Sequence, residues 1–419
     1  MNYAVVMPFR LACAIVVVAS SATAARGEDL DRLPSPLRLA DVVALARQHR
    51  AEILAAKAST RAAAERPAIV SALDDPMILP SIDHLPFRGG GVDWSVVVQQ
   101  RLPLSGIRGH REQAARAAAT GVAAAADRVA LDIELEATSA FLMLREERQA
   151  TAILAEQKAL AQQFVTVATA HYASGHGSQS EVRRAEIEVA RTTGELEANI
   201  AEVRAAVAML DTSIGRSPTL PIGELAAPPT DEPPVQQNAV DAALQHRPEL
   251  RAGRAEIERA RSEIAVMDDM YRPMAMIQTG PSYTMADGPG WMVMVGVSVP
   301  LWRDKLRAGV DEAKAMTEMA EQDLVAMRRV VAGDAVVARE RVIAARARWI
   351  ALRDEVVPRA KATIEPTLVD YANGQLPLVS VLEVAQALWA AQMDLAAAER
   401  ELGLASARLA RAMAKEARP

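Results

Sequence analysis

Gln48-His49-Arg50-Ala51-Glu52-Ile53 recurs as Gln245-His246-Arg247-Pro248-Glu249-Leu250, displaced by 197 residues, and the reading of the rest of the chain follows from this pair. Trp94 opens the strand-like run 94–104, which ends in Pro103-Leu104. Trp291 opens 291–301, which ends in Pro300-Leu301, again 197 residues on. Tyr172-Ala173-Ser174-Gly175 matches Tyr371-Ala372-Asn373-Gly374 at a displacement of 199. Three separated landmarks holding one offset to within two residues mark an internal duplication.

Each copy carries the same order of elements: a helix, two short extended segments, a very long helix, a turn and another helix. In the first copy the sequence predicts these over about 40–66, 77–104, 108–170, 172–177 and 179–210. In the second copy they fall at about 239–267, 274–301, 305–370, 371–374 and 378–413. The first repeat therefore occupies 26–217, with a β-hairpin at 77–104 and a long helical hairpin at 108–210. The second occupies 235–415, with its hairpins at 274–301 and 305–413. A proline-rich stretch, 218–234, joins the copies and reads as an extended linker, and 416–419 form a tail.

The long segments keep charged and apolar residues in helical periodicity without internal Gly or Pro clusters. About 65 residues at 1.5 Å each extend about 100 Å. No single globular core can wrap such a helix, so it packs side by side with others in a bundle or coiled coil. Pro358 and Pro366, near the end of the second long helix, each remove a backbone donor and predict a bend there.

The extended pieces alternate. In 291–301 one face carries Trp291, Val293, Val295, Val297 and Val299, and the other Met292, Met294, Gly296 and Ser298. In 94–102 one face carries Trp94, Val96, Val98 and Leu102, interrupted by Gln100, and the other Ser95, Val97, Gln99 and Arg101. Period two with one apolar and one more polar face suits strands of about 10 residues between lipid and an aqueous lumen. Trp94, Tyr283 and Trp291 are placed for an interfacial belt, and Met274, Met276, Met292 and Met294 would face the lumen. The partner strands are 77–87, weakened by Pro80 and Pro86, and 274–285, with turns at Gly89-Gly90-Gly91 and Asp287-Gly288-Pro289-Gly290. Four strands cannot close a barrel, and open edges are forbidden in lipid. Several chains must share one barrel, of eight, twelve or sixteen strands for two, three or four copies.

Composition narrows the function classes. Among 419 residues aromatics make up 3% and the formal net charge is -6, with pI near 5.7, which leaves no electrostatic footprint for nucleic acid. The N-terminus reads as a signal peptide over 1–25: Arg10 precedes an apolar run, 11–19, and small residues follow, with cleavage after Ala24, or at Ala22 or Ala25. Cys13, the one cysteine, opens the apolar run with Arg10 three places before it, unlike a lipoprotein signal. The mature chain would then have neither disulfides nor thiolate chemistry. Beyond the leader no apolar run reaches the roughly 18 residues of a transmembrane helix. The six histidines are scattered and His171 with His176 reads as a surface pair. Neither a glycine-rich phosphate loop nor a nucleophile elbow is present. No enzyme, cofactor or metal site is expected.

On the duplication, His246-Arg247-Pro248-Glu249-Leu250, the endings Pro103-Leu104 and Pro300-Leu301, and the tips Tyr172-x-x-Gly175 and Tyr371-x-x-Gly374, the chain resembles the TolC family of outer-membrane efflux proteins over its whole mature length. The resemblance implies a mainly α fold with a small β part. Three chains, a homotrimer, would share a 12-stranded outer-membrane β-barrel, four strands each, above an α-helical periplasmic barrel of the duplicated long helical hairpins. It implies a passive duct in the outer membrane that reaches into the periplasm. The hairpin tips would dock a periplasmic adaptor joined to an inner-membrane pump of the RND type. An acidic residue several positions past each tip glycine would narrow the lumen, here Glu181 after Gly175 and Glu383 after Gly374. Ser380 and Leu376 depart from the family's gating pattern at the second tip. The segment 75–84, Asp75-Pro76-Met77-Ile78-Leu79-Pro80-Ser81-Ile82-Asp83-His84, is similar to the heavy-metal branch of the family, so heavy-metal cations or small toxic compounds are the implied cargo. Thioether sulfur suits Cu(I) or Ag(I), although methionine is more commonly adaptable filler. The alternative is a periplasmic coiled-coil adaptor or a structural protein without a pore.

Overall fold

A computed structural model of the chain describes residues 33–84, 91–229 and 232–414. The leader 1–25 with Cys13, Pro86, Phe87, Gly89 and Gly90 of the first hairpin, and the tail 416–419 lie outside the described residues. In chain order the elements are α1 (Leu39–His49), α2 (Ala51–Ser71), β1 (Met77–His84), β2 (Asp93–Pro103), α3 (Ile107–Ala173), α4 (Gln179–Ser213), α5 (Gln236–His246), α6 (Pro248–Asp269), β3 (Met274–Thr284), β4 (Gly288–Ser298), α7 (Arg303–Ala351), α8 (Val357–Ala372) and α9 (Leu378–Ala412). The four strands form one antiparallel sheet in sequence order, β1-β2-β3-β4. Among the described residues no helix is long and apolar enough to cross a membrane.

The two helices expected over 40–66 and 239–267 are each a pair of helices. Arg50 and Arg247 sit at the breaks with ψ near 125° (124° and 125°). At Arg247 the cause is local, because Pro248 disfavours helical geometry in the residue before it and fits the first position of the next helix. At Arg50 the following residue is Ala51, and tertiary bonds hold the break instead. The buried Arg50 guanidinium donates to Glu136 Oε1 at 2.9 Å, Glu52 Oε1 at 2.8 Å and the Thr212 and Ser213 carbonyls at 3.4 and 3.3 Å. Its hydrogen bond holds the Glu52 carboxyl below the ordinary glutamate value. The second copy repeats the device: buried Arg247 donates to Glu249 at 3.0 Å and lies 3.6 Å from Asp334. Arg411 then links Glu249 at 3.5 Å to Asp132 of α3 at 2.6 Å, tying the copies together.

The duplication extends into the core. Val42, Ala46, Ile53, Ile133, Ala137 and Leu210 are buried together in the first copy. Their counterparts 197 to 199 residues later, Ala239, Ala243, Leu250, Val331, Ala335 and Leu409, are buried in the second. Alanine fills many of the fully buried positions, which lets the helices approach closely, because interaxial distance follows the side chains at the contact. The linker is docked over its described stretch 218–229: Leu37 N–H donates to the Glu224 carbonyl at 2.7 Å, Ala226 N–H to the Leu37 carbonyl at 2.9 Å, and Arg148 Nη2 to the Ile222 carbonyl at 2.7 Å.

The long helices differ between copies. α3 runs unbroken for 67 residues, about 100 Å. Its counterpart is interrupted by a π turn, Leu352–Val356, which ends two residues before Pro358, and no residue of that turn is buried. The irregularity anticipated at Pro358 is therefore taken up one turn earlier. The wider π spacing accommodates the missing proline donor, and Arg353 lies 4.1 Å over the Trp349 ring beside it. Pro366 is inside α8.

Replacing Arg247 by alanine should destabilise the chain by about 3 kcal/mol, since it removes a buried guanidinium that bonds the largely enclosed Glu249 carboxylate. Replacing exposed Arg251, paired with Asp127 on the surface, should cost less than about 1 kcal/mol. Denaturant melts followed by helical circular dichroism measure both, and equal losses would show that the buried latch carries no special weight.

Candidate functional site

The sheet separates its two faces cleanly. Strand register places Met77, Gln99, Gln278 and Met294 in one row, Arg101, Met276 and Gly296 in the next, and Ser81, Ser95 and Ser282 toward the hairpin turns. Gln278 donates to Gln99 Oε1 at 2.9 Å and the Ser81 and Ser95 hydroxyls are 2.7 Å apart. Met274, Met276, Met292 and Met294 all share this polar face, as the alternation predicts. The opposite face carries Ile78, Ile82, Trp94, Val98, Ile277, Trp291, Val293, Val295 and Val297. On the polar face Ser95, Val97 and Gln99 are 3–8% exposed, while Trp291, Val293, Val295 and Val297 on the other are 57–69% exposed. The central strand β2 thus buries its polar-face side chains, whereas Met77, Met274 and Met294 on the same face stay exposed and the apolar face is exposed along β4.

Trp94 pairs with Tyr283, their rings stacked at 6.4 Å, and Trp291 pairs with Pro281 next to them. Trp94, Tyr283 and Trp291 thus sit on the apolar face near the hairpin-turn end, with Trp291 Nε1 donating to Thr279 Oγ1 at 2.7 Å. The sequence reading missed the other end. Leu301 and Trp302, 73% and 78% exposed, follow β4, and Leu104 follows β2. Eleven residues separate Trp291 from Trp302, ~36 Å of extended chain, which at a tilt of about 45° spans ~25 Å, the height of a membrane β-barrel's apolar band. The spacing of the two tryptophans was the available signal.

The second hairpin turn is tighter than expected: Thr284 already pairs with Gly288, whose φ is +77°, and Pro289 and Gly290 belong to β4. In β3, Pro281 has no N–H to offer β2, and the β2–β3 ladder skips Gly280 and Pro281 opposite Val96 and Val97. A Cβ on Gly280 would overlap the Val96 carbonyl oxygen.

The two helix tips are built alike. Gly175 and Gly374 adopt φ of +77° and +71°. Gly175 N–H donates to Tyr172 O and His176 N–H to His171 O, at 3.1 and 2.9 Å. Gly374 N–H donates to Tyr371 O and Gln375 N–H to Asp370 O, at 2.9 and 2.8 Å. Both are Schellman closures, which need a left-handed residue and so favour glycine. The matched tyrosines diverge: Tyr172 is exposed, whereas Tyr371 is 2% exposed, packed with Phe164, Ala168 and Ala185 of the first hairpin and Leu378, Val381 and Trp389 of the second. Burial first, and then the nearby Glu181 charge, push the Tyr371 hydroxyl above its ordinary value. His171 stacks obliquely on Tyr371 at 5.0 Å, while His176 contacts Ser174.

Glu181 accepts from Ser178 N–H at 3.1 Å while its own N–H donates to Ser178 Oγ at 3.4 Å, a capping box that draws it back over the start of α4. Glu383 lies opposite the buried positions Val381 and Ala385 on α9, is exposed, and takes part in no ion pair among the described residues. The structure thus brings Glu181, Tyr371 and His171 together and leaves Glu383 apart. Among the described residues no group of three or more His, Cys, Asp or Glu side chains could hold a metal ion.

Residues 239–415 match the family described as outer membrane efflux protein. No curated protein matches the chain. Among solved structures it is similar to CusC (TM-score 0.78, 14% identity, 90% of this chain and 91% of that one). It is also similar to VceC from Vibrio cholerae (TM-score 0.76, 16% identity, 90% and 96%) and to the MtrE outer membrane channel of Neisseria gonorrhoeae in its open state (TM-score 0.73, 16% identity, 92% and 91%).

Gly280→Val should abolish β2–β3 pairing while leaving the helices intact. Helical circular dichroism is expected to persist and incorporation into lipid vesicles to fail; normal incorporation would mean the close approach at Val96 is dispensable.

Proposed function

We propose that the chain is a TolC-type outer-membrane efflux protein and the duct subunit of a tripartite efflux system; residues 239–415 match the outer membrane efflux protein family, and the fold is similar to that of solved channels. The observation that carries the reading is the sheet. One face is apolar and exposed, the other carries Ser81, Ser95, Gln99 and Gln278, and among the described residues strands β1 and β4 leave two edges without partners. Such edges are excluded from lipid unless neighbouring copies pair with them. Three copies give twelve strands around a lumen lined by the methionine, glutamine and serine face, and six helical hairpins beneath it. The energy comes from the inner-membrane pump, of the RND type, reached through a periplasmic adaptor that docks on the tips around Tyr172, Gly175, Tyr371 and Gly374. The protein itself is a conduit and catalyses no reaction. Its cargo is heavy-metal cations or small toxic compounds. A periplasmic adaptor would carry one helical hairpin flanked by β-domains, whereas the described chain has two hairpins and a single four-stranded sheet.

At the tips, Glu383 and Glu181 from three copies would form rings of carboxylates. Like charges held close repel and bind divalent cations, which makes opening dependent on pH and divalent ions. Glu383 is the freer of the two. Replacing it by glutamine should raise single-channel conductance or weaken block by divalent cations, and unchanged values would place it outside the constriction.

Bulky residues at Gly175 and Gly374 should impair export while trimers persist, because only the left-handed closure gives the tight docking tip. Drug or metal susceptibility of cells, compared with trimer content on gels, reads this out; full export with both replaced would show that the tips tolerate another shape.

A further inference from the structure

A cavity of about 400 Å³ lies where the sheet meets the helices, and its wall carries four guanidinium groups, Arg101, Arg108, Arg111 and Arg272, against two carboxylates, Asp74 and Asp269. Asp269 is already committed. It is buried, with Oδ2 2.8 Å from His110 Nδ1 and Oδ1 3.7 Å from Arg272 Nε. Arg108 donates through Nε to the Ser71 carbonyl at 2.6 Å, which fixes the side chain without neutralising it. Among the described residues no carboxylate forms an ion pair with Arg101 or Arg111.

The cavity borders the polar face of the sheet. Arg101 pairs with Met276 on the face that also bears Gln99 and Gln278, and Met274 and Ser298, which line the same cavity, pair on that face too. Helix stability does not account for the basic residues. The first turn of α3 has no acidic residue and holds Arg108 instead, against the preference of a helix N-terminus for negative charge.

We propose that this cavity is an anion site on the inner wall of the duct, taking the phosphate, sulfonate or carboxylate group of a small amphiphilic solute. The inference rests on the duct reading and sharpens its cargo: anionic organic compounds pass in preference to bare metal cations. Guanidinium keeps its charge at every physiological pH and matches carboxylate and phosphate oxygens two at a time. A ring of fixed charge in a narrow, low-dielectric passage concentrates ions of opposite sign. In a trimer the ring holds twelve guanidiniums and six carboxylates. Leu73, Met270 and Val299 supply apolar wall beside them, suited to the organic part of the solute.

The test uses the full mature protein in planar bilayers under a KCl gradient. The reversal potential of the double variant Arg101→Gln, Arg111→Gln should shift toward cation preference relative to the parent, with pore conductance at high salt kept. Phenyl phosphate should block the parent current several-fold more strongly than the double variant, and Arg101→Lys should keep the selectivity while weakening that block. Identical reversal potentials and equal block would overturn the site. If the double variant assembles poorly, the parent alone decides: block by phenyl phosphate no stronger than block by uncharged benzyl alcohol also overturns it. A parent protein that forms no pores would instead remove the duct reading, and this site with it.

Discussion

The backbone groups on the free sides of β1 and β4 set the terms for the rest of the molecule. A strand edge in water can hydrogen-bond to solvent, but an edge flanked by valine, isoleucine and tryptophan and set in hydrocarbon has no partner other than another strand. The described residues supply four strands and two edges, so in the proposed membrane setting the apolar face is stable only when copies close the circle. The helices inherit this closure. Each long hairpin hangs from a strand pair, and the lateral packing that buries Phe164, Tyr371 and Trp389 within one chain must recur between chains around the ring.

Within a chain, the arginine latches convert a duplicated sequence into a duplicated shape. Arg50 and Arg247 break a helix at equivalent places, and each is held by a carboxylate two residues on and another from the long helix. Buried charges of this kind contribute little net stability compared with apolar packing, but they tolerate only one arrangement of their partners. They fix the angle at which the short helices meet the long ones, and through it the position of the strands.

Much of this was legible in the sequence because it rests on periodicity. The offset between Gln48-His49-Arg50 and Gln245-His246-Arg247 gave the two copies, alternation gave the faces of β2 and β4, and the uninterrupted run after Ile107 gave the rod. The misses were made by tertiary contacts. Nothing local breaks the helix at Arg50, where Ala51 is a good helix former and the Thr212 and Ser213 carbonyls decide the geometry. Tyr172 and Tyr371 look alike in sequence, yet one is exposed and the other buried, a difference set by which hairpin stands beside each. Glu181 matched an acidic position by spacing, and its capping role with Ser178 was hidden only because both readings use the same residue.

The π turn at Leu352–Val356 has no counterpart in α3. A closed palisade made of such chains alternates straight staves with staves that carry a built-in weakness at one height. Torsion applied from below is taken up at the weak staves first, while the straight ones act as fixed posts. In the trimer proposed above, the cylinder would be nearly sixfold to the eye yet deform only as a threefold object, with any widening of its lower end beginning from three points rather than six.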